Sequence, residues 1–208
     1  MAFRMPAEWA PHEAVWIGFP SSADAWGAPL QRAQQQIAAF ANAVHASGQG
    51  ERVHVIAGSA EAAAIAAELV DSGIHVEQRH IGDVWLRDTG CIIVKDGDRR
   101  IARDFGFNGW GGRYDYPGDR TIGAELAASA GLEIRKADWI LEGGSIDVDG
   151  QGLAATTADC LLNPNRNPTL DKAAIEARLR EKLIFRADIE LVPPLALPRY
   201  EYKAQLVK

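Results

Sequence analysis

The sequence predicts one α/β domain assembled from repeats. Three observations predict it: strand-like and helix-like stretches alternate along the chain, no linker-like stretch interrupts them, and one pattern recurs at a spacing of 53 to 58 residues. The recurring pattern centres on Asp83-Val84-Trp85-Leu86-Arg87-Asp88-Thr89-Gly90 and Leu141-Glu142-Gly143-Gly144, each placing a carboxylate at the end of a predicted strand, just before glycine. Gly73-Ile74-His75-Val76 leads into the first and Gly131-Leu132-Glu133-Ile134 into the second. An Asp-Gly pair, Asp96-Gly97 or Asp149-Gly150, marks a hairpin after each. Leading glycines, carboxylates and turn glycines lie 58, 54 and 53 residues apart, the signature of an internal repeat.

Leu30, Ala33, Ile37, Phe40, Ala41 and Val44 recur every three or four residues, so 28–47 reads as an amphipathic helix stopped by Gly48 and Gly50. Arg52 to Ala57 is a short strand, and Ser59 can cap the alanine-rich helix that follows. Ile74 to Ile81 is the next strand. Cys91 to Val94 and Arg100 to Phe105 pair across Asp96-Gly97. After the glycine- and aromatic-rich loop Phe105 to Gly112, Thr121 caps a third helix running to Gly131. A strand leads to Trp139 and Glu142, a second hairpin spans Ser145 to Thr156, and Cys160 to Asn163 closes that unit. Thr169 opens a fourth helix with Leu170, Ala174, Ile175, Leu179 and Leu183 along one face. Beyond it Pro193, Pro194 and Pro198 break the rhythm, and only Ile189 to Val192 resembles a strand. By the rhythm of the first two units residue 183 should feed another strand, a loop and a hairpin, and none is evident. The third repeat starts and does not finish, which divides the chain into a repeat domain, 1–183, and a divergent tail, 184–208.

A chain of 208 residues can bury one good core. With 47% hydrophobic and 24% charged residues it has the make-up of an ordinary globular protein. A net charge of −6 and a pI near 5.4 argue against nucleic acid, whose binders carry a basic stripe. No apolar run reaches the roughly 20 residues of a membrane span, and Met1 to Trp9 lacks a signal-peptide core. Two cysteines are too few for a disulfide framework and suit a reducing compartment, so the expected location is cytoplasmic.

The repeat brings Asp88 and Glu142 into related positions, and two carboxylates on one concave site suit a planar cation with many donors, such as a guanidinium. Taken alone, Asp88 after Arg87 reads as an internal ion pair or a turn cap; the matching Glu142 favours function. The two glycines after Glu142 let a backbone approach a ligand. Trp85 is read equally as a core residue and as a pocket wall on which a guanidinium stacks. The tract Asn163 to Pro168 is a surface turn or a loop lining the site. Five scattered histidines offer no His-x-His or HExxH spacing, so neither a metal nor another cofactor is expected, and no phosphate-binding glycine loop occurs. Cys91 and Cys160 sit beside apolar residues, where a thiol is usually buried and inert; neither is expected to be a nucleophile.

These residues together resemble the family of agmatine deiminases and Porphyromonas-type peptidylarginine deiminases, in the guanidine-modifying pentein superfamily. The matching stretches are Met5 to Trp9 with Pro11, His12 and Trp16, then Asp83 to Gly90, Phe107 to Gly112, Glu142 to Ile146 and Cys160 to Asn167. The resemblance implies a propeller of ββαβ-type repeats, of which this chain holds roughly three of five blades, and hydrolysis of a guanidino group to a ureido group with release of ammonia. It implies agmatine as substrate, with peptidyl-arginine the alternative, no cofactor, and a homodimer or self-association through unclosed edges. Asp88 and Glu142 match the family's guanidinium-orienting acids and Trp85 its pocket tryptophan; Asp83, Asn163 and Arg166 join as substrate-binding residues. The family's downstream His-x-Asp pair and late nucleophilic cysteine have no counterpart, and Cys160 matches a cysteine that is not the nucleophile. A truncated chain is therefore expected, and a non-catalytic guanidino-compound binder or an inactive product stands beside the enzyme reading. That reading requires the carboxylates of residues 88 and 142 to face one site rather than separate interior ion pairs.

Overall fold

The computed structural model describes residues 3–114 and 116–183. The expected tail lies outside them. The first layer is a parallel sheet of β1 (Val15–Phe19), β2 (Val53–Ala57) and β3 (His75–Gln78), in that order. Helices α2 (Leu30–His45) and α3 (Ala60–Leu69) connect the strands, preceded by the short turn α1 (Ala23–Trp26). Parallel neighbours need such crossovers, and the sequence supplies them where its helical period runs. Ile17, Phe19, Val53, Val55 and Ala57 meet Ala38, Ala41, Ala62 and Ala66. Methyl-sized helix residues let the helices sit close on the strands. Ser59 caps α3 by accepting from the Ala62 N–H at 3.1 Å, as expected.

Strand β1 was not expected. Its five residues are too few to display a period, and Gly18 reads as a break. The glycine has a packing reason instead: a Cβ there would stand 2.7 Å from the Val84 backbone. Behind the sheet, Ile56 and Trp16 pack with Ile81, Leu86, Ile122 and Leu126, which seats the Asp83–Gly90 segment against β2.

The second layer joins β4 (Ile92–Asp96) and β5 (Arg99–Gly106), antiparallel across Gly97-Asp98, to β6 (Glu133–Ile140), parallel to β5. Gly97 has φ +59°, as this tight turn requires. The helical turn α4 (Leu86–Thr89) precedes β4, and the short α5 (Gly109–Gly112) and helix α6 (Ile122–Ser129) connect β5 to β6. The outer edge of β4 is covered locally by Arg4, whose N–H and C=O each bond Lys95 at 2.8 Å. A third pair, β7 (Ile146–Val148) and β8 (Ala154–Thr156), is antiparallel. Among the described residues no sheet closes on itself. The order ββαβ from β4 to β6 is the repeat unit read from the sequence.

Helix α8 (Lys172–Leu183) buries Ile175, Leu179 and Leu183, at four-residue steps, against Ile92, Val94, Ile101, Trp139 and Leu141. Ala174 from the expected face is only half-buried. Other local readings need correction. Strand β3 stops at Gln78, because the main chain from Arg79 turns. Thr121 precedes α6 but its side chain takes no helix N–H; its hydroxyl lies within hydrogen-bond reach of the Gly118 carbonyl and the Glu125 carboxylate instead. Asp149-Gly150 lies in a five-residue loop that the Asp149 carboxylate organises by accepting from the N–H groups of Gln151, Gly152 and Leu153. Cys160 lies in a helical turn, α7 (Ala158–Leu161), rather than beside a strand. Among the described residues no helix is long and apolar enough to cross a membrane.

Candidate functional site

Asp88 sits on the single turn α4, closed by the N–H groups of Asp88 and Thr89 donating to the Trp85 carbonyl. The buried Leu86 anchors that turn. Arg87 does not pair with its neighbour; it reaches the N-terminal segment and grips both carboxylate oxygens of Glu8 at 2.6 Å. That pairing, through the hydrogen bond first and the guanidinium charge second, holds the Glu8 carboxyl below its ordinary value. The half-buried Asp88 carboxylate takes one neutral donor on each oxygen: the Gly144 N–H on Oδ1 and the Trp110 indole N–H on Oδ2, both at 2.9 Å. Each carboxylate oxygen accepts more than one hydrogen bond, so Asp88 keeps acceptor capacity.

Glu142 ends the β6 segment, at the start of the short helical turn Gly143–Ser145, and is only 2% exposed. Its Oε1 accepts from Arg166 Nε at 2.6 Å, an interior ion pair, while its Oε2 is buried without a hydrogen-bond partner. Arg166 is delivered by the Asn163–Asn167 turn. The Asn167 amide pins that turn to β6, donating to the Ile140 carbonyl and accepting from the Ile140 N–H, each at 3.0 Å. Gly143 and Gly144 serve the protein's own packing: a Cβ on the first would collide with the Arg87 carbonyl oxygen, and on the second with the Asp88 carboxylate. The two acid-bearing segments therefore touch directly. Among the described residues Asp88 is in no ion pair, whereas Glu142 is in an interior one with Arg166, contrary to the expectation that neither acid would be.

Asp83 accepts from the indole N–H of Trp26 at 3.0 Å on Oδ1 and of Trp85 at 2.9 Å on Oδ2, so it holds two aromatic rings in place. Trp85 is 52% exposed, which corrects the core reading. Asn163 spends both amide atoms on main chain, accepting from the Asn165 N–H and donating to the Asp159 carbonyl. One open concavity of about 420 Å³ lies beside β6 and α8, with Trp139, Arg166 and Arg178 in its lining; neither Asp88 nor Glu142 lines it.

Sequence reasoning missed Trp110 as the partner of Asp88. Its backbone is left-handed, φ +58°, between Gly109 and Gly111 at φ +69° and +80°. Non-glycine residues hold that conformation at a cost of roughly 1–3 kcal/mol. Asn108 stabilises the loop by accepting from the Gly111 N–H and donating to the Asn165 carbonyl. The available signal was a lone large residue inside a glycine run. Trp26 carried no such signal, because its pairing with Asp83 spans 57 residues.

The two thiols lie in different surroundings. Burial, and then the charge of Asp104, push the Cys91 thiol up to about 12, and its Sγ donates to that carboxylate at 3.7 Å. Cys160 is half-buried on α7.

The fold is an α/β chain in which two acid-bearing turns touch beside an exposed indole. The family model of Porphyromonas-type peptidyl-arginine deiminases matches residues 4–196. The chain belongs to that family. It is 41% identical over 200 residues to an agmatine deiminase of Pseudomonas aeruginosa, covering 91% of this chain and 52% of that protein. An agmatine deiminase of Stutzerimonas stutzeri is 39% identical over 193 residues, covering 87% and 50%. Among solved structures, agmatine deiminase of Enterococcus faecalis superposes with a TM-score of 0.80 at 33% identity, covering 88% of this chain and 51% of that one. A cysteine-to-serine agmatine deiminase of C. jejuni with substrate bound gives 0.77 at 30%, covering 89% and 54%. The chain spans about half the length of these relatives.

Proposed function

We propose that this chain carries the guanidinium-orienting part of an agmatine deiminase-type hydrolase, the reaction being agmatine plus water to N-carbamoylputrescine plus ammonia. The observation that carries the reading is the Gly144 N–H bond to Asp88, which ties the two acid-bearing turns into one unit. In this reading Asp88, oriented by neutral donors, takes the substrate guanidinium through charge-assisted hydrogen bonds, and Trp85 stacks on it. Glu142 supplies the second negative charge. Arg166 and Asn163 act by holding Glu142 and its loop, and Asp83 by aiming Trp85, since their polar groups are engaged within the fold. The fold reading is a partial propeller of ββαβ units, about three blades within 1–183, with 184–208 a separate tail, working in the cytoplasm as a homodimer or larger self-associate.

In the family's chemistry a thiolate attacks the guanidinium carbon, ammonia leaves, and water releases the ureido product. This chain has no histidine after His80 and no cysteine after Cys160. A second reading is a chain that binds guanidino compounds without turning them over, supported by the Asp88 carboxylate's remaining acceptor capacity. Calorimetric titration with agmatine tests the common part: binding is expected, with a loss of at least tenfold in Asp88→Ala, and equal binding by both proteins overturns it. Ammonia release measured on the same samples separates the readings. Turnover establishes the enzyme, and binding without ammonia the holder.

A further inference from the structure

The sheet β1-β2-β3 packs Val53, Val55 and Ala57 against its helices, so alternation along β2 turns His54 to the opposite face. The parallel register sets His54 opposite His75, and Glu77 two residues further along β3 lies on that same face. Glu77 Oε1 is 3.4 Å from His54 Nδ1 and 3.3 Å from His75 Nε2. All three atoms lie within 4.8 Å of one another. His54 Nδ1 is buried and, despite that proximity, makes no hydrogen bond. The two rings meet edge to face, with centroids 5.4 Å apart, so they are not stacked away from a common point.

Two ligands at about 2.0–2.1 Å from one tetrahedral ion stand about 3.3–3.4 Å apart, which matches the two nitrogen–oxygen separations. The second oxygen of Glu77 accepts from Arg79 at 2.6 Å, an outer contact of the sort that orients a ligating carboxylate. Two imidazoles and one carboxylate suit a borderline divalent ion; calcium and magnesium prefer all-oxygen sites. We propose that His54, His75 and Glu77 form a binding site for zinc(II) or a similar transition-metal ion, clamping the edge strand β3 to β2. No role in guanidinium recognition falls to these residues, and their ion pairs run among themselves and to Arg79. Linear spacing could not reveal the site, because His54 joins the His75–Glu77 pair only through strand register.

The test is zinc titration of the metal-stripped 208-residue chain by calorimetry, with His75→Ala as the variant, since His75 is exposed and its loss should leave the fold intact by circular dichroism. One zinc per chain is expected. Because loss of even an outer partner weakens metal sites about 10–100-fold, His75→Ala should lose at least tenfold. A second measurement needs no variant: in the unmutated chain, zinc should shift the imidazole nitrogen resonances of two of the five histidines. Absence of binding, affinity unchanged in His75→Ala, or shifts at His12, His45 or His80 overturns the site and leaves an ordinary ion-pair cluster.

Discussion

The turn around Asp88 and the turn around Glu142 occupy matching places in the repeat, yet their carboxylates live in different surroundings. Asp88 is half-buried, held by an indole and an amide N–H, with its cationic neighbour Arg87 drawn off by Glu8. Glu142 is fully buried and held by a guanidinium. A repeat thus reproduces the position of an acid, while the loop that packs over it decides its task. Here the glycine-rich loop supplies a neutral indole donor to one acid, and the Asn163–Asn167 turn supplies a charge to the other. The half-buried acid keeps acceptor capacity beyond its two neutral donors, while the interior one is paired with Arg166.

This contrast can be broken by removing each carboxylate charge in turn. The largest effect is expected for Glu142→Gln, which leaves Arg166 buried without a counter-charge. Breaking one partner of such a pair costs about 3–5 kcal/mol, read as a lower urea midpoint. Asp88→Asn should cost only about 1 kcal/mol, the worth of an ordinary hydrogen bond, because its donors are neutral and the amide oxygen still accepts one of them. Equal losses in the two variants would remove the distinction.

The smallest effect sharpens the comparison at Arg87. The Glu8 carboxyl is held below its ordinary value of 4.5, so its contribution is full above that pH and is lost as pH falls through the lowered value. Screened by solvent, the pair is worth roughly 0.2–1 kcal/mol. Glu8→Gln should therefore lower stability slightly at neutral pH and make no difference at strongly acid pH, where both proteins lack the charge. A deficit that persists in acid would point to packing rather than charge.

Local periodicity made much of this architecture legible. The Leu30–His45 helix and the Ile175, Leu179, Leu183 stripe follow from a 3.6-residue repeat of apolar side chains, and the two hairpins follow from their Asp-Gly pairs. What escaped depends on contacts between distant segments. β1 is a strand because β2 pairs with it, not because VWIGF alternates. The Asp88–Trp110 and Glu142–Arg166 bonds span 22 and 24 residues, and the His54–His75 pairing depends on register. The glycines after Glu142 were legible as a close approach, but the sequence did not say that the approaching group is the first acid's own turn.

The two bonds between Arg4 and Lys95 turn the N-terminal segment into a bolt on the open side of β4. A fusion placed so that residue 4 is pulled away, or a cut in the stretch before β1, would leave that side's amide and carbonyl groups free to recruit a strand from a neighbouring molecule. Arg4 thereby shields a strand edge that lies far along the chain, at Lys95.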